Sequence, residues 1–184
     1  MTKTILLLRH AKSSWPAADA ADFDRPLAPR GRAAAPVMAG LMRSRGWRPE
    51  RVLCSAAART RETWALMAPT FGSKVPVRYV KELYLAPPAR ILRRLRRLPD
   101  TLGTVLVIGH NPGLQELAAG LAAMGDSRAI ERLNRKFPTA ALAVIASEAA
   151  HWCDLGPATL AAFIRPKDLA QEEAHASQNG FDLR

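Results

Sequence analysis

The sequence predicts an α/β fold, a three-layer α/β/α sandwich around a mostly parallel central sheet. Three observations point there. Short apolar runs such as Thr4-Ile5-Leu6-Leu7-Leu8 and Thr104-Val105-Leu106-Val107-Ile108 do not alternate with polar residues, which is the pattern of strands covered on both faces. Segments of helical character separate these runs, so the strands need crossover connections and pair in parallel. The last two strand-like runs then follow one another as a closing pair.

In chain order, residues 4–8 form the first predicted strand, and it stops at Arg9-His10. Residues 12–29 are a long loop rich in Pro, Asp and Ala. Residues 30–45 are helical, with Pro36 in the early turns, where proline is tolerated best, and Gly46 as the stop. Residues 51–54 are a short strand. Residues 57–68 are a helix expected to end before Pro69. Residues 75–80 are a strand with Pro76 near its start. A helix follows at 89–98, a strand at 104–108 and a helix at 113–123. Residues 140–147 and 159–164 are the closing strands. The polar segment from Arg165 to Arg184 reads as a loose tail, so the expected division is a folded unit over 1–165 and a tail over 166–184.

Composition narrows the function classes. A chain of 184 residues with 48% apolar residues suits one domain with a proper core. The apolar run at 5–8 is too short for a secretory signal, and no stretch is long enough to span a membrane. Cys54 and Cys153 are too few for a disulfide framework. A reduced, cytoplasmic enzyme is the simplest expectation. The formal charge of +11 favours anionic partners, but the arginines are scattered rather than gathered in one arm, and nucleic acid is not the expected partner.

Open α/β sheets place their sites beyond the carboxyl ends of the strands, where Arg9, His10 and His110 fall. A guanidinium beside an imidazole holds a phosphoryl group and disfavours protonation of the ring, which leaves a neutral nucleophile. Arg59 follows the strand 51–54 in Ser55-Ala56-Ala57-Ala58-Arg59-Thr60-Arg61. There an anion would meet both a guanidinium and a helix N-terminus. In Gly109-His110-Asn111-Pro112-Gly113, the glycine permits close backbone approach and Pro-Gly opens a helix.

Five segments occur in a set order: Leu8-Arg9-His10-Ala11-Lys12-Ser13-Ser14-Trp15, Asp24-Arg25-Pro26-Leu27-Ala28-Pro29-Arg30-Gly31, Cys54-Ser55 with Arg59-Thr60-Arg61-Glu62-Thr63, Glu82-Leu83-Tyr84, and Gly109-His110-Asn111-Pro112. Together they resemble the histidine phosphatase, or phosphoglycerate mutase-like, superfamily, and most of all its short SixA-type members. The resemblance covers residues 5–145. It implies a phosphoglycerate mutase-like fold in which His10 becomes phosphohistidine and Arg9, Arg59 and His110 hold the phosphoryl group. Arg25 reaches the same pocket, with Lys12, Ser13 and Asn111 as further substrate contacts. It implies no metal and no cofactor, the arginines supplying the charge that Mg²⁺ supplies elsewhere. The substrate would be a phosphohistidine protein or a small phosphate ester.

Ala11 stands where the wider family has glycine, which bears on subfamily. Ester-cleaving members protonate the leaving oxygen with an acid, and Glu82 falls at the corresponding place, with Asp22 and Asp24 as alternatives. A P–N bond needs a weaker acid, so replacing Glu82 is expected to harm ester hydrolysis more. The rival readings are a small-molecule phosphomonoesterase and a non-catalytic basic binding module. Arginines at 90, 93, 94, 96 and 97 read as a solvated helix face, with docking of an acidic phosphorylated partner, or of nucleic acid, as the alternative. Trp15 and Trp47 read as packing residues, with a rim to the site as the alternative, since Trp15 follows the His10 loop and could border a substrate. A zinc site from His10, His110, Cys54 and Cys153 lacks paired spacing, and His151 and His175 lack any motif.

Overall fold

A computed structural model of the chain describes residues 2–15, 21–72 and 74–168. Strand β1 spans Lys3–Arg9. A 3-10 turn at Asp22–Asp24 precedes helix α1, Pro29–Ser44. Strand β2, Arg51–Ser55, leads into α2, Ala58–Phe71. Strand β3, Val77–Val80, runs through a 3-10 turn at Lys81–Leu83 to α3, Pro88–Leu95. Strand β4, Thr104–Gly109, is followed by α4, Gly113–Leu121, β5, Ala122–Gly125, and α5, Ser127–Arg135. Strands β6, Leu142–Ser147, and β7, Ala158–Ile164, close the fold.

The seven strands form one sheet in the order β3-β2-β4-β1-β6-β7-β5. Within that sheet only β6 runs against the others, pairing antiparallel with both β1 and β7. The continuous apolar runs are buried on both faces, as their composition requires. Leu6, Leu8, Val52, Cys54, Leu106 and Ile108 pack under Met38, Met42, Trp64 and Met67 of α1 and α2. Ile5, Leu7, Leu53, Val105 and Val107 pack under Ile91, Leu95, Leu114, Leu117 and Leu133 of α3, α4 and α5. Each fully buried Leu contributes about 1.5–3 kcal/mol in transfer free energy, so the three layers are held chiefly by this double-sided burial.

The differences from the sequence expectation have local causes. Helix α2 continues through Pro69 and stops at Gly72, which takes φ 87. A proline in the last turn forfeits a single backbone hydrogen bond there, so the following glycine sets the end. Helix α3 ends at Leu95 rather than 98, and β5 and α5 fall where a single helix and then no element were expected. Ala122 to Gly125 has little strand propensity and is mostly exposed. Its pairing with β7 is a tertiary effect. Helix α5 starts at Asp126, whose carboxylate accepts from the Ala129 amide at 2.8 Å, a capping signal the long helical reading of 113–123 obscured. Of the polar tail, residues 165–168 are described, with Arg165 clamped on Asp168 at 2.7 Å. Residues 169–184 lie outside the described residues.

The connection from β1 leads to one side of the sheet and that from β4 ultimately to the other. Their carboxyl ends therefore border a switch point, the place where open α/β sheets form ligand crevices. The register pairs Arg9 with Gly109 and Cys54 with Ile108. This brings the ends of β1, β4 and β2 side by side.

Candidate active site

His10 leaves the end of β1 with its amide donating to the Gly109 carbonyl at 3.1 Å. His110 leaves β4 beside it, and the two ring centroids are 5.2 Å apart. The loop after His10 is held from two directions. The Ala11 amide donates to Thr63 Oγ1 of α2 at 3.1 Å, and that hydroxyl donates on to the Arg59 carbonyl at 2.6 Å. On the other side Gly31 of α1 lies so close to Lys12 that a Cβ would come within 2.1 Å of its carbonyl oxygen. Only glycine lets the helix approach there. Gly113 has the same role at the start of α4, where a Cβ would meet the Ala86 carbonyl at 1.9 Å.

The His10 ring is almost fully buried, and its Nδ1 lies 2.7 Å from the Ala11 carbonyl. A carbonyl only accepts, so Nδ1 carries the proton and Nε2 is left with its lone pair. Burial pushes the His10 pKa down to about 3, assisted by the Arg59, Arg9 and Arg25 charges and opposed by the Ala11 bond. Burial likewise lowers His110 to about 3, with His10 and Arg59 adding to it. Its Nε2 is 2.8 Å from Ser55 Oγ, at the end of β2. Both rings are therefore neutral near pH 7.

Around them stand three guanidiniums. Arg59, buried in the first turn of α2, donates to Asp22 Oδ2 at 3.0 Å and to the Asp22 carbonyl. Arg25 donates to Asp22 Oδ1 at 2.8 Å, to Ser13 Oγ at 2.9 Å and to the Ser14 carbonyl at 3.1 Å, and it lies 3.5 Å over the Trp15 ring. Tyr84 completes the set, donating its hydroxyl to Asp22 Oδ2 at 2.5 Å while its ring meets His110 edge-on at 5.4 Å. The Tyr84 and Arg25 bonds hold the Asp22 carboxyl well below the usual carboxylate range. One carboxylate thus occupies a cradle of two guanidiniums and a phenol, a donor set matched to a tetrahedral oxyanion.

Arg9 reaches away from this carboxylate and donates to the Phe137 carbonyl at 2.9 Å. Burial and the nearby Arg59 lower its pKa. Arg9 Nε, His110 Nδ1 and Asn111 Oδ1 are buried polar atoms without a hydrogen-bond partner among the described residues. Unsatisfied buried groups are rare in proteins, and these three belong to residues at the carboxyl ends of β1 and β4.

The structure brings Arg9, His10, Arg25, Arg59 and His110 to one place, with Ser13 holding Arg25. It does not bring in Lys12 or Glu82. The Lys12 side chain is exposed, and only its backbone braces the loop, accepting from the Ala28 amide at 2.8 Å. Glu82 is exposed and pairs with Arg94 at 3.7 Å, facing a separate concavity. Asn111 braces the floor, donating to the Phe137 carbonyl at 3.0 Å and to Gln115 at 3.2 Å. Of the two loop carboxylates Asp22 enters the pocket, whereas Asp24 is exposed. Trp15 is 64% exposed and covers Arg25, which agrees with a rim rather than with core packing. Sequence reasoning passed over Tyr84, Ser55 and Thr63 as site residues. The signal for the first was its place in Glu82-Leu83-Tyr84 directly after a strand. Cys54 is buried with its thiol pushed up to about 12 by that burial. Cys153 is exposed beside Trp152, which bonds to Leu102 ahead of β4, at the opposite edge of the sheet.

Residues 5–84 match the model of the histidine phosphatase superfamily (branch 1). An uncharacterized protein of Mycobacterium tuberculosis is 41% identical over 164 residues, covering 87% of this chain and all of the relative. Among solved structures, a candidate phosphohistidine phosphatase SixA from Nakamurella multipartitia shares the fold with a TM-score of 0.78 at 32% identity, covering 90% of this chain and 97% of that one. A SixA candidate from Agrobacterium tumefaciens gives 0.76 at 30% identity, over 89% and 98%. With a phosphoglycerate mutase-like sheet and this pocket at its switch point, the chain belongs to the SixA-type branch of the histidine phosphatase superfamily and is a phosphatase.

Proposed function

We propose that this phosphatase removes the phosphoryl group from protein phosphohistidine through a phosphoenzyme on His10. The observation that carries the reading is the 2.7 Å contact of Nδ1 with the Ala11 carbonyl, which leaves Nε2 unprotonated among three guanidiniums. In the first step the Nε2 lone pair forms an N–P bond to the substrate phosphorus. The substrate P–N bond breaks, and its electron pair leaves with the product histidine, which takes up a proton from solvent. In the second step water adds to phosphorus, the His10 N–P bond breaks, and phosphate and neutral His10 are restored. Arg9, Arg25, Arg59 and His110 stabilise the equatorial oxygens in both steps. The arginines supply the charge that a divalent cation would otherwise bring.

The acid available in the pocket favours a P–N over a P–O substrate. An alkoxide leaving group needs a proton donor, whereas Asp22 is held ionised by Tyr84 and the arginines and Glu82 faces elsewhere. A phosphoramidate leaving group is basic and already disposed to protonation, so it departs without a dedicated acid. The test compares kcat/KM on a histidine-phosphorylated protein with that on p-nitrophenyl phosphate and on alkyl phosphates. The reading expects the P–N substrate to be preferred, with alkyl esters poorest. A preference for alkyl esters would support the small-molecule phosphomonoesterase instead.

A further inference from the structure

Four arginines outside the pocket fall together at one helix. Arg90, Arg93, Arg94 and Arg97 recur at intervals of three and four and share one stripe of α3 and the turn after it. With Glu82 they line a concavity of about 290 Å³. The intervening Arg96 has a structural task, donating to the Leu155 carbonyl at 2.6 and 3.1 Å. Arg90, Arg93 and Arg97 are exposed and form no ion pair among the described residues; Arg94 has the 3.7 Å contact with Glu82. Packing of this helix needs only its apolar side, Ile91 and Leu95.

A second basic concavity, of about 200 Å³, is lined by Arg132, Arg135, Lys136, Arg165 and Lys167. Arg165 is committed to Asp168, while Arg132 Nε is buried without a partner. Both concavities adjoin the pocket through a few residues of chain. Glu82 stands two residues before Tyr84, whose ring packs against His110. Lys136 directly precedes Phe137, whose carbonyl receives Arg9 and Asn111. Each cluster is therefore joined to the His10 pocket by a short stretch of chain, and each has one member already ion-paired, Arg94 to Glu82 and Arg165 to Asp168.

We propose that these two clusters form a docking surface for an acidic protein, which presents its phosphohistidine to the His10 pocket. The inference rests on the reading of His10 given above and names the kind of partner that reading leaves open. A protein fits better than nucleic acid for two reasons. The pocket takes a terminal phosphoryl group on a reaching side chain, whereas a nucleic-acid backbone offers internal diesters. Carboxylates of Glu82 and Asp168 stand within the two clusters, which suits mixed side-chain pairing and opposes a continuous phosphate track.

The test uses two charge-reversal pairs, Arg93→Glu with Arg97→Glu, and Arg135→Glu with Lys136→Glu, on a histidine-phosphorylated acidic protein and on free phosphohistidine. The expected result is a fall of about tenfold or more in kcat/KM on the protein for each pair, a steep salt dependence in the parent enzyme, and unchanged kcat/KM on the free amino acid. An unchanged rate on the protein, or an equal fall on both substrates, overturns the docking surface. If the parent enzyme releases phosphate from neither substrate, the His10 reading has failed. Docking is then judged by calorimetric binding of the same phosphoprotein, which the reversals must weaken. Loss of binding to a labelled oligonucleotide with unaltered phosphoprotein kinetics overturns it in favour of nucleic acid.

Discussion

Asp22 accepts from Arg25, Arg59 and Tyr84 at once, so an incoming phosphoryl group competes with it for two guanidiniums. Replacing it, Asp22→Asn, is expected to tighten inhibition by tungstate or vanadate by about tenfold, since the competing charge is gone. Weaker inhibition would mean that the carboxylate aligns the arginines instead. Burial keeps the free imidazoles of His10 and His110 neutral far below the usual histidine range. Nitrogen NMR of the free protein is accordingly expected to show His10 neutral at about pH 5, protonated on Nδ1 only. At this scale the sequence was legible where a residue ends a strand. Arg9, His10, Arg59 and His110 follow apolar runs, so their place at the sheet edge could be read from the pattern. Asp22 and Tyr84 come from a loop and a 3-10 turn, whose positions depend on tertiary contacts that no periodicity encodes. Glu82, two residues before Tyr84 in such a turn, is exposed and pairs with Arg94, a placement that sequence spacing does not encode either.

Elements position the pocket by close backbone approach. Helix α1 reaches the His10 loop only because Gly31 lacks a side chain against the Lys12 carbonyl. Gly31→Ala forces backbone apart and is expected to cost about 2 kcal/mol or more in a urea melt while also lowering kcat. A conservative change elsewhere on the same helix, such as Val37→Ala at its half-exposed face, is expected to leave both within error. Leu106, buried at the centre of β4, is expected to cost about 2–5 kcal/mol on replacement by Ala, through lost burial and the cavity left behind. The elements legible in the sequence were those with continuous apolar runs or strong helical faces. Strand β5 was illegible because an exposed Ala-Ala-Met-Gly edge pairs through the strand beside it and carries no apolar pattern of its own.

Across the whole molecule, neutral buried histidines link stability to pH. Unfolded, each imidazole takes a proton near 6.5; folded, near 3. Between those values the unfolded chain binds more protons, so stability falls as pH drops through the window and is fully present above it. The urea midpoint is expected to decrease from pH 7 to about pH 4, less steeply in a His10→Asn, His110→Asn double variant. The charge of +11 and the arginine face at 90–97 were legible in the sequence, whereas the second basic concavity, which joins Arg132, Arg135 and Lys136 to Arg165 and Lys167, required the fold. The claim on which this account turns is that His10 itself carries the phosphoryl group. Intact mass after brief incubation with a phosphohistidine donor, quenched in alkali, tests it beside His10→Ala. The account predicts a single phosphoryl adduct in the parent protein, stable to alkali and labile to acid, and none in the variant, whose turnover falls by about 10³-fold or more. An adduct that persists in the variant, or turnover that survives the loss of His10, would contradict it.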